Sequence, residues 1–119
     1  MPLPAVLGID IGTSSVKAVL VDQSARVIAG GRVAYATAQP GPGLSEQRPE
    51  DWREAAIGAV RAALNAADDV AVAAISFSGH MSAPVLVGAD GAALGSCHTI
   101  TDQRAAAAAA SIDPALADA

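Results

Sequence analysis

Leu7-Gly8-Ile9-Asp10-Ile11-Gly12-Thr13-Ser14-Ser15-Val16-Lys17-Ala18-Val19-Leu20-Val21-Asp22 holds two apolar runs separated by a small polar turn. The first run, Ala5–Ile11, is short and suits a strand buried on both faces. Gly12-Thr13-Ser14 breaks it, and Ser15–Asp22 resumes with β-branched residues. Gln23-Ser24-Ala25 makes the next turn and Arg26–Ala36 reads as a third strand. Connections this short favour an antiparallel meander over helical crossovers.

The turn inside that stretch has the chemistry of a phosphate site. A turn centred on Gly12 lets backbone N–H groups approach anionic oxygens, and the Thr13 and Ser14 hydroxyls add donors. Asp10, at the end of its strand, is placed to hold a magnesium ion directly or through water. Lys17 is placed to neutralise a terminal phosphate. The spacing is not that of G-x-x-x-x-G-K-[ST], and a strand follows where that motif has a helix. A plain hairpin, turned by Gly12-Thr13 and capped by Asp10, fits the same residues. The order of elements around the turn favours phosphate.

Downstream, Gln39–Leu44 is a loop by composition. A helix then starts at Pro49, with Glu50 and Asp51 where the helix dipole favours negative charge. Trp52, Ala56, Ala59, Val60, Ala63 and Ala67 fall on one face at helical spacing, and Asp68-Asp69 closes the helix. Val70–Phe77 is apolar and uncharged, a central-strand candidate able to run parallel to an earlier strand. Pro84–Val87 and Ala92–Leu94 flank Asp90-Gly91, a hairpin signal. From Thr101 the pattern turns helical through the alanine run 105–110, ending at Asp113-Pro114. The expected order is β-β-β-α-β-β-β-α, an α/β arrangement with a mixed sheet, in a single domain or a piece of one.

Composition removes several classes of function. The 119 residues carry a net charge of −5, and the one Lys and six Arg stand singly. No basic cluster offers a footprint for nucleic acid or an anionic membrane. Cys97 is the only cysteine, so an intrachain disulfide and a cysteine-rich metal site are excluded, and a reducing cytoplasm is the natural compartment. Val70–Ala89 lacks Asp, Glu, Lys and Arg, but its Ser, Gly, His and Pro make it two buried strands around a polar loop, not a membrane span.

The phosphate stretch resembles the first phosphate motif of the FGGY carbohydrate kinases, within the actin-like, hexokinase-like and Hsp70-like ATPase superfamily. Three other segments agree in order and spacing. Pro42-Gly43-Leu44-Ser45-Glu46-Gln47-Arg48-Pro49-Glu50-Asp51-Trp52 resembles P-G-W-x-E-Q-x-P-x-x-W. Ile75-Ser76-Phe77-Ser78-Gly79-His80-Met81-Ser82 is similar to the I-x-x-S-G-Q-M-H of xylulokinases, and Thr101-Asp102-Gln103-Arg104-Ala105 to W-x-D-x-R-x. The first motif is shared across the superfamily. The second and third narrow it to FGGY and argue against an actin-like or Hsp70-like module.

The resemblance implies an RNase H-like N-terminal domain of an ATP-dependent sugar kinase, with ATP and Mg2+ as cofactors. Asp10, Gly12, Thr13, Ser14 and Lys17 would meet phosphate and magnesium. His80, Met81, Ser82, Asp102 and Arg104 would lie on the sugar side. Ser82 stands where xylulokinases have His, and Ile100 where the family has Trp, which leaves the sugar open. The resemblance places the catalytic base and the second phosphate loop downstream, so the chain alone is expected to be inactive. Its partners would be a ketopentose or polyol and the rest of the kinase. A stand-alone, non-catalytic sugar- or nucleotide-binding protein is the alternative. Exposed strand edges would promote self-association.

Overall fold

The computed structural model describes residues 1–112. Its elements are β1 (Leu3–Ile11), β2 (Ser15–Asp22), β3 (Val27–Ala34), β4 (Glu46–Gln47), α1 (Pro49–Asn65), β5 (Val70–Gly79), β6 (Cys97–His98) and α2 (Ala106–Ala109). A four-stranded sheet runs in the order β3-β2-β1-β5. The meander is antiparallel as expected, and β5 joins it parallel to β1. In β1, Ala5, Leu7 and Ile9 are buried, and in β2 Val16, Ala18 and Leu20 are. Both sets point to one face, as the two-residue period of a strand requires.

Helix α1 covers that face. Pro49 opens it, Glu50 and Asp51 occupy its first turn, and Arg48 pairs with Asp51 at 3.7 Å. Its buried stripe is Ala55, Ala59 and Ala63, with Ala56, Val60 and Ala67 half-buried beside it. The expected face was right apart from Ala55, and the helix stops at Asn65, before Asp68. Its alanines let it lie close to β3. A methyl group on Gly31 would fall 2.1 Å from the Ala59 carbonyl oxygen.

Four expectations need correction. β1 is buried on one face only, since Val6 is exposed and nothing among the described residues covers that side. β5 is an outer strand of the sheet, not a central one, and Ala71 to Gly79 are exposed. The Asp90-Gly91 turn forms, with Gly91 at φ +79° and Gly88 N–H donating to the Ala92 carbonyl, but its arms meet in a single bridge, Val87 to Ala93. Those arms have no apolar surface to pack on, and a two-stranded hairpin does not hold strands by itself. The helix expected from Thr101 is one turn at Ala106–Ala109, because Asp102 and Arg104 are bound in tertiary contacts; the expected stop at Asp113-Pro114 lies outside the described residues. The pairing of β4 with β6 had no counterpart in the sequence pattern. The observed order is therefore β-β-β-β-α-β-β-α.

Candidate functional site

The β1–β2 turn is held from one side. Gly12 N–H donates to the Ser15 carbonyl (3.0 Å). The next three carbonyls all accept from the body of the protein. Tyr35 Oη donates to that of Gly12, Gln47 Nε2 to that of Thr13 (2.8 Å) and Tyr35 N–H to that of Ser14 (3.1 Å). In a trans peptide the N–H points opposite to the C=O of the same plane, and no peptide here is cis. The Thr13 and Ser14 N–H groups are thus aimed away from Tyr35 and Gln47, and both residues are exposed. Neither N–H has an acceptor among the described residues.

On the open face of the sheet, Asp10 lies opposite Lys17 of β2 and beside Ser78 of β5. These three border a groove of about 350 Å³ with Gly8, Val19 and Ser76. A methyl group on Gly12 would come within 3.1 Å of the Ser15 carbonyl oxygen and 3.8 Å of Asp10 Oδ2, so glycine keeps the turn and the carboxylate clear of each other. Burial first, and then the Asp10 charge, raises the Tyr35 phenol above its ordinary pKa.

Across the turn lies a second cavity of about 110 Å³, lined mostly by polar residues that present largely their apolar atoms to it: Thr13, Thr37, Ser45, Gln47, His80, Thr99, Ile100 and Thr101. Gln47 organises it. Its Nε2 also donates to Thr37 Oγ1 (2.6 Å), and its Oε1 accepts from Trp52 Nε1 (2.9 Å). Trp52 meets the His80 ring edge-on, with centroids 5.1 Å apart. His80 Nδ1 lies 2.9 Å from the Ile11 carbonyl. A carbonyl only accepts, so Nδ1 carries the proton. His80 Nε2 is buried without a protein partner. Ser45 Oγ and Thr99 Oγ1 are 2.6 Å apart, and Thr101 Oγ1 is 3.1 Å further on.

The phosphate candidates Asp10, Gly12, Thr13, Ser14 and Lys17 therefore gather around one turn, and Thr13 belongs to the second cavity as well. Of the sugar-side candidates, His80 lines that cavity. Met81 is 74% exposed beyond it, and Ser82 sits in the left-handed region at φ +54°. Asp102 and Arg104 do not line it; they bond to each other, and Arg104 also bonds to Glu46. Thr37, Ser45, Gln47, Thr99 and Thr101 were not singled out as site residues in the sequence. The available signal was membership of a quoted motif, which holds for Ser45, Gln47 and Thr101 but not for Thr37 or Thr99.

The family description "FGGY family of carbohydrate kinases, N-terminal domain" matches residues 5–117. The chain belongs to the FGGY family of carbohydrate kinases. Among relatives of this FGGY domain, a xylulose kinase of Staphylococcus xylosus is 41% identical over 86 residues, 72% of this chain and 18% of that protein. A gluconokinase of Bacillus licheniformis is 34% identical over 99 residues, 83% of this chain and 19% of that one. A solved xyloylose kinase from Brucella ovis superposes with a TM-score of 0.88 at 33% identity, over 95% of this chain and 24% of its own. The FGGY chain thus spans about a fifth of the length of the curated relatives it matches. No helix among its described residues is long and apolar enough to cross a membrane.

Proposed function

We propose that the chain supplies the phosphate turn and a sugar-proximal wall of an ATP-dependent kinase that phosphorylates a hydroxyl of a ketopentose or polyol of the xylulose class. One observation carries this reading. Three successive carbonyls of the Gly12–Ser14 turn are tied down from behind, which aims the Thr13 and Ser14 N–H groups outward beside Asp10 and Lys17. Such a preset array of donors suits phosphoryl transfer, where catalysis rests on positioning and charge neutralisation.

In this reading ATP, when bound, supplies the phosphoryl group, and Gly12, Thr13, Ser14 and Lys17 hold its phosphates. Asp10 is the magnesium-side carboxylate. A magnesium ion there would take its other ligands from phosphate and water. His80, Met81 and Ser82 stand on the sugar side. The cavity lining has hydroxyls, an amide, an imidazole and the apolar Ile100 but no Lys or Arg, so it offers a sugar acid no counter-charge and suits a neutral polyol better. Asp10 is the only carboxylate bordering either concavity. The general base is therefore assigned to a part of the kinase outside these residues, and the chain alone should not turn over sugar. A cytoplasmic location accords with the single buried thiol of Cys97.

Calorimetric titration of the chain with magnesium-ATP tests the phosphate assignment. Lys17→Ala and Asp10→Asn should each weaken binding by about tenfold, the effect of removing one charged hydrogen-bonding partner. Equal affinity in both variants and in the parent would sink the assignment. Titration with D-xylulose and xylitol against gluconate tests the neutral-polyol preference, which fails if gluconate binds as well.

A further inference from the structure

The Pro42–Gln47 segment and the Thr99–Arg104 turn form facing walls of the second cavity, with Ser45 and Gln47 on one and Thr99, Ile100 and Thr101 on the other. Behind the walls sits a cluster of three charges. Arg104 grips Asp102 at two points, Nε to Oδ1 (2.9 Å) and Nη2 to Oδ2 (2.8 Å), and the same Nη2 donates to Glu46 Oε1 (2.7 Å). Asp102 Oδ2 also accepts the Ser45 N–H (2.7 Å), and Oδ1 accepts the N–H of Arg104 (3.0 Å). Three further ties run the same way: Thr99 N–H to the Ser45 carbonyl (3.0 Å), Gln103 N–H to the Gly43 carbonyl (2.8 Å), and the β4–β6 pairing.

Both oxygens of Asp102 are filled, and its side chain is only 3% exposed. A sugar hydroxyl could reach it only by displacing one of these bonds. The planar fork of Arg104 is equally committed, since a two-point grip on a carboxylate needs the fixed geometry of a guanidinium. We propose that Arg104, acting through Asp102 and Glu46, is a positioning residue that fixes the spacing of the two cavity walls and does not itself touch the sugar. The proposal rests on the sugar-side reading of the cavity given above.

Amide NMR of the 119-residue chain, with a sugar titration beside it, tests the inference. The Ser45 N–H reports on Asp102 directly, because that carboxylate is its acceptor. Glu46, in the cluster and next to Ser45, and His98, opposite it in the β4–β6 pair, are the other titratable groups there, so the series is run in a His98→Asn background and repeated with Glu46→Gln. With Arg104 present, the Ser45 resonance should hold steady through the ordinary carboxylate range near about pH 4 and move only below it. In Arg104→Gln the transition should rise into that range, and in Arg104→Lys, with its point charge, it should fall between. Superimposable titrations in all three overturn the proposal.

In the second arm, D-xylulose affinity should drop about tenfold in Arg104→Gln and recover in part in Arg104→Lys. Abolished binding in Arg104→Lys with an undisturbed Ser45 titration would mean that Arg104 touches the sugar, which also overturns the proposal. If the parent chain binds no D-xylulose, the sugar-side reading falls for the chain alone, and the Ser45 titration still decides the clamp. If Arg104→Gln fails to fold, Arg104→Lys against the parent decides it.

Discussion

Asp102 and Asp22 both have carboxyls held below the ordinary range, by related means. The Arg104 side chain bonded to Asp102 is the main cause there; for Asp22 it is the backbone N–H of Arg26, which together with the Ser24 N–H closes the β2–β3 turn. A carboxyl whose folded pKa lies below its unfolded one stabilises the fold above the unfolded value, near about 4, and this contribution fades as pH falls through the folded value. The chain should therefore lose thermal stability on acidification below about pH 4. The gap in Tm between the parent and Asp102→Asn should shrink over the same window. A gap that stays constant from neutral pH into that window would show that Asp102 titrates normally. Sites such as these are hard to see in a sequence. Asp102 stands where a helix was expected to begin, whereas Ser45, whose N–H it accepts, and Glu46, the second carboxylate on Arg104, each lie more than fifty residues from their partner along the chain.

At the scale of elements, α1 lies against β3 too closely to admit a side chain at Gly31. A methyl group on Gly31 would meet the Ala59 carbonyl oxygen at 2.1 Å, Ala62 Cβ at 2.8 Å and the Ala63 nitrogen at 3.0 Å. Two of these are helix backbone, so α1 must shift as a unit. Gly31→Ala should destabilise the chain by about 1–3 kcal/mol, the usual cost of overpacking, read as a lower midpoint in urea. An unchanged midpoint would mean that α1 floats on the sheet. The meander and α1 were legible because their signals are local: β-branched runs joined by short turns, and Pro49 followed by acids and a 3.6-residue stripe. β4 and β6, of two residues each, are too short to carry any period. Leu86 and Leu94 looked strand-forming but are exposed, since their segment has nothing to pack against. The Gly12–Ser14 turn between two strands was readable from residue chemistry alone. The cavity was not, because its polar residues are spread from Thr13 to Thr101 and only tertiary folding assembles them.

The molecule as a whole leaves one flank of its sheet unfinished among the described residues. β5 is the terminal strand in the order β3-β2-β1-β5, ten residues long and without a charge or a proline. Ile75 and Phe77 are 56% and 70% exposed. They lie beside Leu7 and Ile9 in the parallel register, so they share the face that α1 covers over its neighbours. Soluble proteins normally blunt such an edge with a lysine, a proline, a bulge or a covering element, because its free N–H and C=O groups template pairing with another chain. None of the residues of β5 supplies a charge or a proline; its one irregularity is the register shift at Ala73, near its start and away from Ile75 and Phe77. Two copies of the chain can therefore pair edge to edge with no like charges brought opposite along the strand. Sedimentation velocity across a concentration series should show mass-action self-association of the 119-residue chain. Phe77→Lys, which places a charge on the strand without touching α1, should shift the population toward monomer. A parent chain that sediments as a monomer at every concentration, with β5 amides protected from exchange, would mean that the edge is covered within the same molecule. Association that survives Phe77→Lys would move the contact away from β5, to the exposed apolar arms around Leu86 and Leu94.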